Sequence, residues 1–207
     1  MTDEEIAMVE PVAVGLHAVH LANITVGQKV LVIGGGIIGL VSAMFANNEG
    51  ASLVALSETN EKRGQNAINL GVAEKFLDAK NPNFINEALE ISNGGFDVVL
   101  ECCGNSQAVT SAIMACRPGG KVILVGVATT NIEVPTVMAV LKEISLQGAI
   151  AYTKEEFITT MDLISKKKID VSKFVSETIS LEKVQEAFIE LTNGSSEKIK
   201  VLINPKL

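Results

Sequence analysis

Three glycines spaced Gly34-x-Gly36-x-x-Gly39 follow the run Val30-Leu31-Val32-Ile33 and open an apolar stretch of helical period, residues 37–48. After a buried strand, this spacing suits the seating of a diphosphate. Gly34 allows a tight turn, Gly36 has no Cβ to hold a pyrophosphate off the backbone, and Gly39 lets the helix pack close to the strand. The helix N-terminus then offers free amide hydrogens and a partial positive charge, so no basic side chain is required. A second residue type tests the reading, because a strand ending in a carboxylate about 20 residues on can accept hydrogen bonds from an adenosine ribose. The run 53–57 leads to Glu58, 19 residues after Gly39. A carboxylate there repels a 2′-phosphate, which favours NAD over NADP. Arg63, one helical turn later, is placed to lie along the adenosine or its ribose. The plainer alternatives are a helix N-terminal charge for Glu58 and a surface cation for Arg63.

Other reactive side chains carry less. His17 and His20 share one face of a helical stretch at 12–22, but a metal needs further ligands and none is near in sequence, so both read as surface or interface histidines. Cys102, Cys103 and Cys116 form neither a CxxC pair nor a disulfide framework and read as reduced thiols of a cytoplasmic protein. Lys166-Lys167-Lys168 closes a helical stretch, where cations offset the helix dipole.

Composition narrows the function classes. The 207 residues include 17 basic and 24 acidic side chains, a net charge of −7, and 47% are hydrophobic. That apolar share supports a packed core rather than a disordered chain. The acidic balance disfavours nucleic acid as a partner. Residues 30–48 carry no formal charge and contain Gly35-x-x-x-Gly39, a spacing of packed membrane helices. The glycine cluster after a β-branched run, and Asn47-Asn48 at the far end, favour a strand, turn and helix instead, so no membrane partner is expected. Met1-Thr2-Asp3-Glu4-Glu5 is acidic where a secretory signal is basic.

The elements that must hold the glycine turn are also legible. Runs rich in Val, Ile and Leu, without strict alternation, lie at 29–33, 53–57, 96–101, 121–126 and 143–149, with a weaker one at 75–77. Helical patterns lie between them at 37–48, 61–70, 82–92, 106–116 and 134–142. Strands buried on both faces and alternating with helices predict an α/β fold, a doubly wound six-stranded parallel sheet of the Rossmann type. Thr2-x-x-Glu5 has the form of a capping box and predicts a helix start, and Pro11 predicts a bend or restart of that helix. From residue 154 the rhythm weakens into a helix (154–168), a strand (174–179), a helix (181–192), a turn over Asn193-Gly194-Ser195-Ser196 and a last strand (198–203).

Taken in order, these motifs resemble the cofactor-binding half of the zinc-dependent medium-chain dehydrogenases, on the polyol (sorbitol) and butanediol dehydrogenase side. The matching residues run through most of the chain: Val9-Glu10-Pro11 before Leu16-His17-Ala18-Val19, the glycine turn, Glu58 with Arg63, Asp97-Val98-Val99-Leu100-Glu101-Cys102-Cys103-Gly104, Arg117-Pro118-Gly119-Gly120, Val125-Gly126-Val127 and Gly148-Ala149-Ile150-Ala151-Tyr152. The resemblance implies NAD as cofactor, with Ile37 and Ile38 at the pyrophosphate and Glu58 and Arg63 at the adenosine ribose. Cys102 and Cys103 would lie near the nicotinamide-side ribose. The Val125-Gly126-Val127 and Ala149-Ile150-Ala151 backbones would bracket the nicotinamide. Glu10, near a zinc ion or its bound water, and Tyr152, at the substrate, would be the catalytic-site residues of this half.

The same resemblance implies zinc in the complete enzyme only, held by Cys and Gly-His-Glu ligands of an amino-terminal catalytic domain whose motifs are not in this sequence. The expected division is a dinucleotide-binding domain at 11–152, with 1–10 and 153–207 packing on the catalytic domain and leaving Phe157, Leu163, Phe188 and Leu191 short of cover. The implied reaction is hydride transfer between a secondary alcohol or polyol, a small-molecule substrate, and NAD. This chain alone would bind NAD without turnover. Polyol enzymes of the family often have Arg where this chain has Ala151, a departure from the polyol pattern. A homodimer through the edge strand Glu143 to Ala149 is also implied. Two other functions fit part of the pattern: an NAD-sensing binding module, and a zinc-independent quinone-type reductase of the same superfamily. Such reductases more often use NADP and lack Glu58 and the Glu10-Pro11 pair.

Overall fold

The computed structural model describes every residue except Gly194 and Ser195, so the turn expected over 193–196 falls partly outside the described residues. Side-chain alternation decides the layers. In β1 (Lys29–Ile33), Val30 and Val32 pack on one face of the sheet and Leu31 and Ile33 on the other. In β4 (Phe96–Glu101), Val98 and Leu100 oppose Val99 in the same way. Successive strand residues point to opposite faces, so burial of both faces demands an unbroken apolar run. With β2 (Leu53–Glu58), β3 (Lys75–Asp78), β5 (Cys116–Leu124) and β6 (Ser145–Gly148), these strands form one sheet, all parallel, in the order β3-β2-β1-β4-β5-β6. The helices α1 (Asp3–Ala22), α2 (Ile37–Asn48) and α3 (Glu61–Asn69) cover one face, and α4 (Phe84–Ile91) and α5 (Ser106–Ala115) the other. This is the doubly wound α/β fold that the spacing predicts.

Two local expectations are corrected. The capping box between Thr2 and Glu5 starts a single helix of 20 residues that continues through Pro11 without a restart. A proline inside a helix costs about 3 kcal/mol. Met8, Val9, Val12 and Leu16 on either side of it are all buried, and each contributes about 1.5–3 kcal/mol, so burial wins. By length and composition α1 is long and apolar enough to cross a membrane, and more than half of it is buried in this core. The second correction is β5, which begins at Cys116, where that residue pairs with Phe96 before a register shift. The fourth inter-strand helix accordingly stops at Ala115.

Lysines tie four helix ends down. Lys121 Nζ donates to the Leu21 and Ala22 carbonyls at the end of α1, and Lys142 Nζ to Ile113 and Met114 in α5 at 2.9 and 2.8 Å. Lys173 reaches Leu70 after α3, and Lys29 reaches Ser92 after α4. A cation there satisfies carbonyls that the helix leaves unpaired and offsets its dipole. Burial lowers the pKa of Lys142. Lys142→Met is expected to cost about 1.5–3 kcal/mol, the value of hydrogen bonds to a charged group, seen as a lower urea midpoint at unchanged slope.

After β5, α6 (Thr136–Leu141) leads into β6. The rest of the chain forms α7 (Lys154–Ser165), β7 (Val175–Ile179), α8 (Val184–Thr192) and β8 (Lys200–Ile203), with β7 and β8 paired in parallel as a separate small sheet. The expected helix at 181–192 begins as a short 3-10 turn, Leu181–Lys183. Phe157 and Leu163 are half-buried against the core, while Phe188 and Leu191 are exposed. Where α7 packs on α1, the Nδ1 atoms of His17 and His20 lie 2.9 Å from the two oxygens of Glu156. The histidines thus bridge two helices. Among the described residues, no group of three or more His, Cys, Asp and Glu could hold a metal ion.

Candidate functional site

The sheet order reverses between β1 and β4, and the crevice outside the carboxyl ends of such strands is where open α/β sheets bind ligands. A cleft of about 370 Å³ opens there. Gly34, Gly36, Glu58 and Arg63 line it from the β1–β2 side, and Cys102 and Cys103 from the β4 side. The glycine turn forms its floor. Gly34 has φ +110°, and its amide donates to the Ser57 carbonyl at 2.8 Å. A Cβ on Gly39 would lie 1.9 Å from the Gly34 carbonyl oxygen, so α2 starts hard against the turn. No side chain caps α2, and its first amides therefore have no partner within the helix.

Glu58 closes the cleft beside the turn. Its carboxylate is buried and accepts from the Gly35 amide at 2.9 Å, the Thr59 amide at 2.7 Å, the Asn60 amide at 3.0 Å and the Thr59 hydroxyl at 3.0 Å. The Arg63 guanidinium adds an ion pair at 2.6 Å. Burial alone would raise the pKa of Glu58, but the arginine and the amides together outweigh it and hold the group below the usual carboxylate value. It is an anion at neutral pH, at the place where an adenosine ribose is expected.

Across the cleft, Glu101 at the end of β4 is fully buried. One oxygen accepts from the Cys103 and Gly104 amides at 2.7 and 2.9 Å, and the other has no partner among the described residues. Burial raises its pKa in spite of both amides. Its role is to fold the chain back after β4, where a Cβ on Gly126 would lie 2.1 Å from the Gly104 nitrogen. Burial pushes the Cys103 thiol up to about 12 and Cys102 well above its ordinary value. Neither is a thiolate at neutral pH, so they line the cleft as small hydrophobes.

A family model described as zinc-binding dehydrogenase matches residues 38–166. The chain belongs to that family. Among zinc-binding dehydrogenases it is 33% identical to sorbitol dehydrogenase of Gallus gallus and 30% identical to (R,R)-butanediol dehydrogenase of Neisseria gonorrhoeae, each over 99% of this chain. It spans 58% of the length of each of those relatives. Of solved structures, 2R,3R-butanediol dehydrogenase of Bacillus subtilis superposes with a TM-score of 0.84 at 29% identity, over 96% of this chain and 57% of that one. A protein of Sinorhizobium meliloti assigned to the zinc-binding dehydrogenases and solved with NADP superposes with a TM-score of 0.85 at 27% identity, over 97% and 59%.

The remaining residues expected at the site of this zinc-binding dehydrogenase chain lie outside the lining of the cleft. Ile37 and Ile38 are half-buried at the start of α2, and Ile37 also borders an apolar groove with Phe188 and Leu191 of α8. Val125 and Gly126 both donate to the Glu101 carbonyl, and the Ala149 amide donates to Leu124. Val127 and Ile150 are 72% and 74% exposed beyond the ends of β5 and β6. Ala151 has φ +52°, and the Tyr152 ring sits 5.4 Å from Phe157. Glu10 is exposed on α1. Sequence reasoning missed Ser57 and Asn105 in the cleft lining. A signal existed for Asn105, which caps α5 by accepting from the Ala108 amide at 2.9 Å, because an Asn-Ser pair before an apolar helical run marks an N-cap.

Proposed function

We propose that this chain seats the NAD of a dehydrogenase that transfers hydride between a secondary alcohol or polyol and the nicotinamide. The observation that carries the reading is the cleft itself, an uncapped helix start behind a glycine turn with a buried carboxylate beside it. The turn would take the diphosphate and Glu58 the ribose hydroxyls, which favours NAD over NADP. The nicotinamide would run toward the ends of β5 and β6, past Val125, Gly126 and Val127 to Ala149, Ile150 and Ala151. Tyr152 and Glu10 would face the reacting centre of the whole enzyme. Zinc would supply Lewis-acid polarisation of the alcohol oxygen, held by residues outside this chain. The relatives exceed this chain by some two-fifths of their length, and the exposed face of α8 and β8 is the surface such a further portion would cover. A cytoplasmic setting, with no nucleic-acid or membrane partner, completes the reading.

Calorimetric titration with NADH tests it, beside an alcohol-oxidation assay with added zinc. The expected result is NADH binding without turnover. No heat of binding would sink the first clause, and zinc-dependent turnover by this chain alone would sink the second.

We also propose a homodimer through residues 143–149. Support comes from the open edge of β6 and from Val137, Val140, Leu141 and Leu146, all exposed beside it. Open edges and contiguous apolar patches invite pairing. Light scattering is expected to give twice the chain mass, and Leu141→Glu to return it to one chain. A wild-type monomer at micromolar concentration would count against the interface.

A further inference from the structure

Four backbone amides converge on one residue behind the cleft. The Glu101 carbonyl accepts from the Val125 and Gly126 amides at 2.8 and 2.9 Å, and its side-chain Oε1 accepts from the Cys103 and Gly104 amides at 2.7 and 2.9 Å. The first pair belongs to the chain leaving β5, the second to the chain leaving β4. One residue therefore holds both strand ends. The Cys102 amide, next along, donates at 2.9 Å to Ile33, the last residue before the glycine turn. No side chain fits where the two segments cross. A Cβ on Gly104 would lie 2.8 Å from the carbonyl carbons of Gly126 and Val127, and one on Gly126 would lie 2.1 Å from the Gly104 nitrogen. Backbone rests on backbone there, and the Glu101 side chain fixes how high the 102–104 segment sits.

Glu101 itself is fully buried and does not line the cleft. The segment it holds does, through Cys102 and Cys103, and Val127 emerges exposed from the other side of the crossing. Burying a carboxylate is costly unless its oxygens are bonded, and Oε2 of Glu101 has no partner among the described residues. An unsatisfied buried group of this kind calls for a reason, and the reason here is what the other oxygen keeps in place.

We propose that Glu101 is a positioning residue for the nicotinamide riboside half of the dinucleotide. It touches no ligand. It fixes residues 102–104 against 125–127, the two backbones between which the nicotinamide and its ribose would lie. This rests on the reading of the cleft as a dinucleotide seat. The adenosine half, at Glu58 and Arg63 beyond β1, owes nothing to it. The accepting oxygen, not the charge, does the holding, since glutamine offers a carbonyl oxygen to the same two amides.

The test is calorimetric titration of the full chain with NADH and with ADP, which has the adenosine and the diphosphate but not the nicotinamide riboside. Beside it, the fluorescence anisotropy of NADH at saturation reports how firmly the nicotinamide ring is held. Glu101→Met, close in volume and without an acceptor, is expected to bind NADH about tenfold more weakly, the scale of one hydrogen bond. It should bind ADP within threefold of the wild type and lower the anisotropy. Glu101→Gln is expected to restore both readouts. Glu101→Ala, which leaves room for water at the two amides, replaces the methionine variant should that fail to fold. A merely structural role predicts that NADH and ADP weaken together while the anisotropy of bound NADH stays the same, and that result overturns the inference. So does a folded Glu101→Met or Glu101→Ala chain with wild-type NADH affinity and anisotropy, or a Glu101→Gln chain that fails as the methionine variant does. A wild type that binds ADP as tightly as NADH keeps the adenosine seat and overturns this inference alone. A wild type that binds neither removes the dinucleotide reading, and this inference with it.

Discussion

Gly39→Ala is expected to destabilise the chain by about 3 kcal/mol or more, at or beyond the upper end of the usual cost of overpacking, and so to lower its urea midpoint. One methyl group has this effect because of where it lands. The new Cβ would sit 1.9 Å from the Gly34 carbonyl oxygen, 3.0 Å from the Gly34 carbonyl carbon and 3.3 Å from Val32 Cγ1. The first two are backbone atoms of the turn and cannot rotate aside. Nor can α2 retreat, since α1 presses on it from the other side. A Cβ on Gly15 would meet Val41 Cγ2 at 2.5 Å, so the two helices are already in closest contact there. The strain is comparable to a large part of a typical domain's stability of about 5–15 kcal/mol. With no Trp and one Tyr in the chain, far-UV circular dichroism in urea is the suitable readout. A midpoint equal to that of the wild type would mean that the helix can slide after all.

What could be read from the sequence divides by range. The glycine turn and Glu58 fall within one strand–helix–strand unit, so their spacing in sequence nearly fixes their spacing in space, and both were legible. Arg63 was legible as a neighbour of Glu58 but not as its ion partner, because the pairing depends on how the loop at Thr59 and Asn60 bends. Pro11 misled for a general reason. Local propensity argues for a break, and only the tertiary burial of Met8, Val9, Val12 and Leu16 decides against one. The bridge from His17 and His20 to Glu156 joins residues 139 and 136 positions apart, and no periodicity reports a contact of that range. The pairing of β7 with β8 was hidden in the same way. Each strand was visible by itself, but Val175 meets Lys200 only once α8 has crossed between them. Cleft residues such as Ser57 escaped notice because a buried serine at a strand end looks like core until the crevice beside it is seen.

Gly36→Val is expected to do the opposite of Gly39→Ala: it should fold like the wild type and bind NADH about a hundredfold more weakly. Gly36 has φ −77° and ψ 179°, extended backbone that valine adopts readily, and a Cβ built there meets nothing within 4 Å. As Gly36 is the N-cap of α2, the change of residue costs the helix at most about 1 kcal/mol. The empty space around that Cβ is the cleft, and in the proposed seat the diphosphate crosses there to reach the amides at the start of α2. A valine would hold it away. Losing two charge-assisted hydrogen bonds at about 1.5 kcal/mol each amounts to roughly 3 kcal/mol, or about a hundredfold in affinity. Adenosine without phosphate, which needs Glu58 but not the turn, is expected to bind this variant as it binds the wild type. The two glycines stand three residues apart in one turn, so opposite outcomes, stability lost at one and affinity lost at the other, separate the structural from the binding role of the motif. NADH affinity within threefold of wild type in a folded Gly36→Val chain would mean that no diphosphate runs over this turn, and the cleft would then belong to a different ligand.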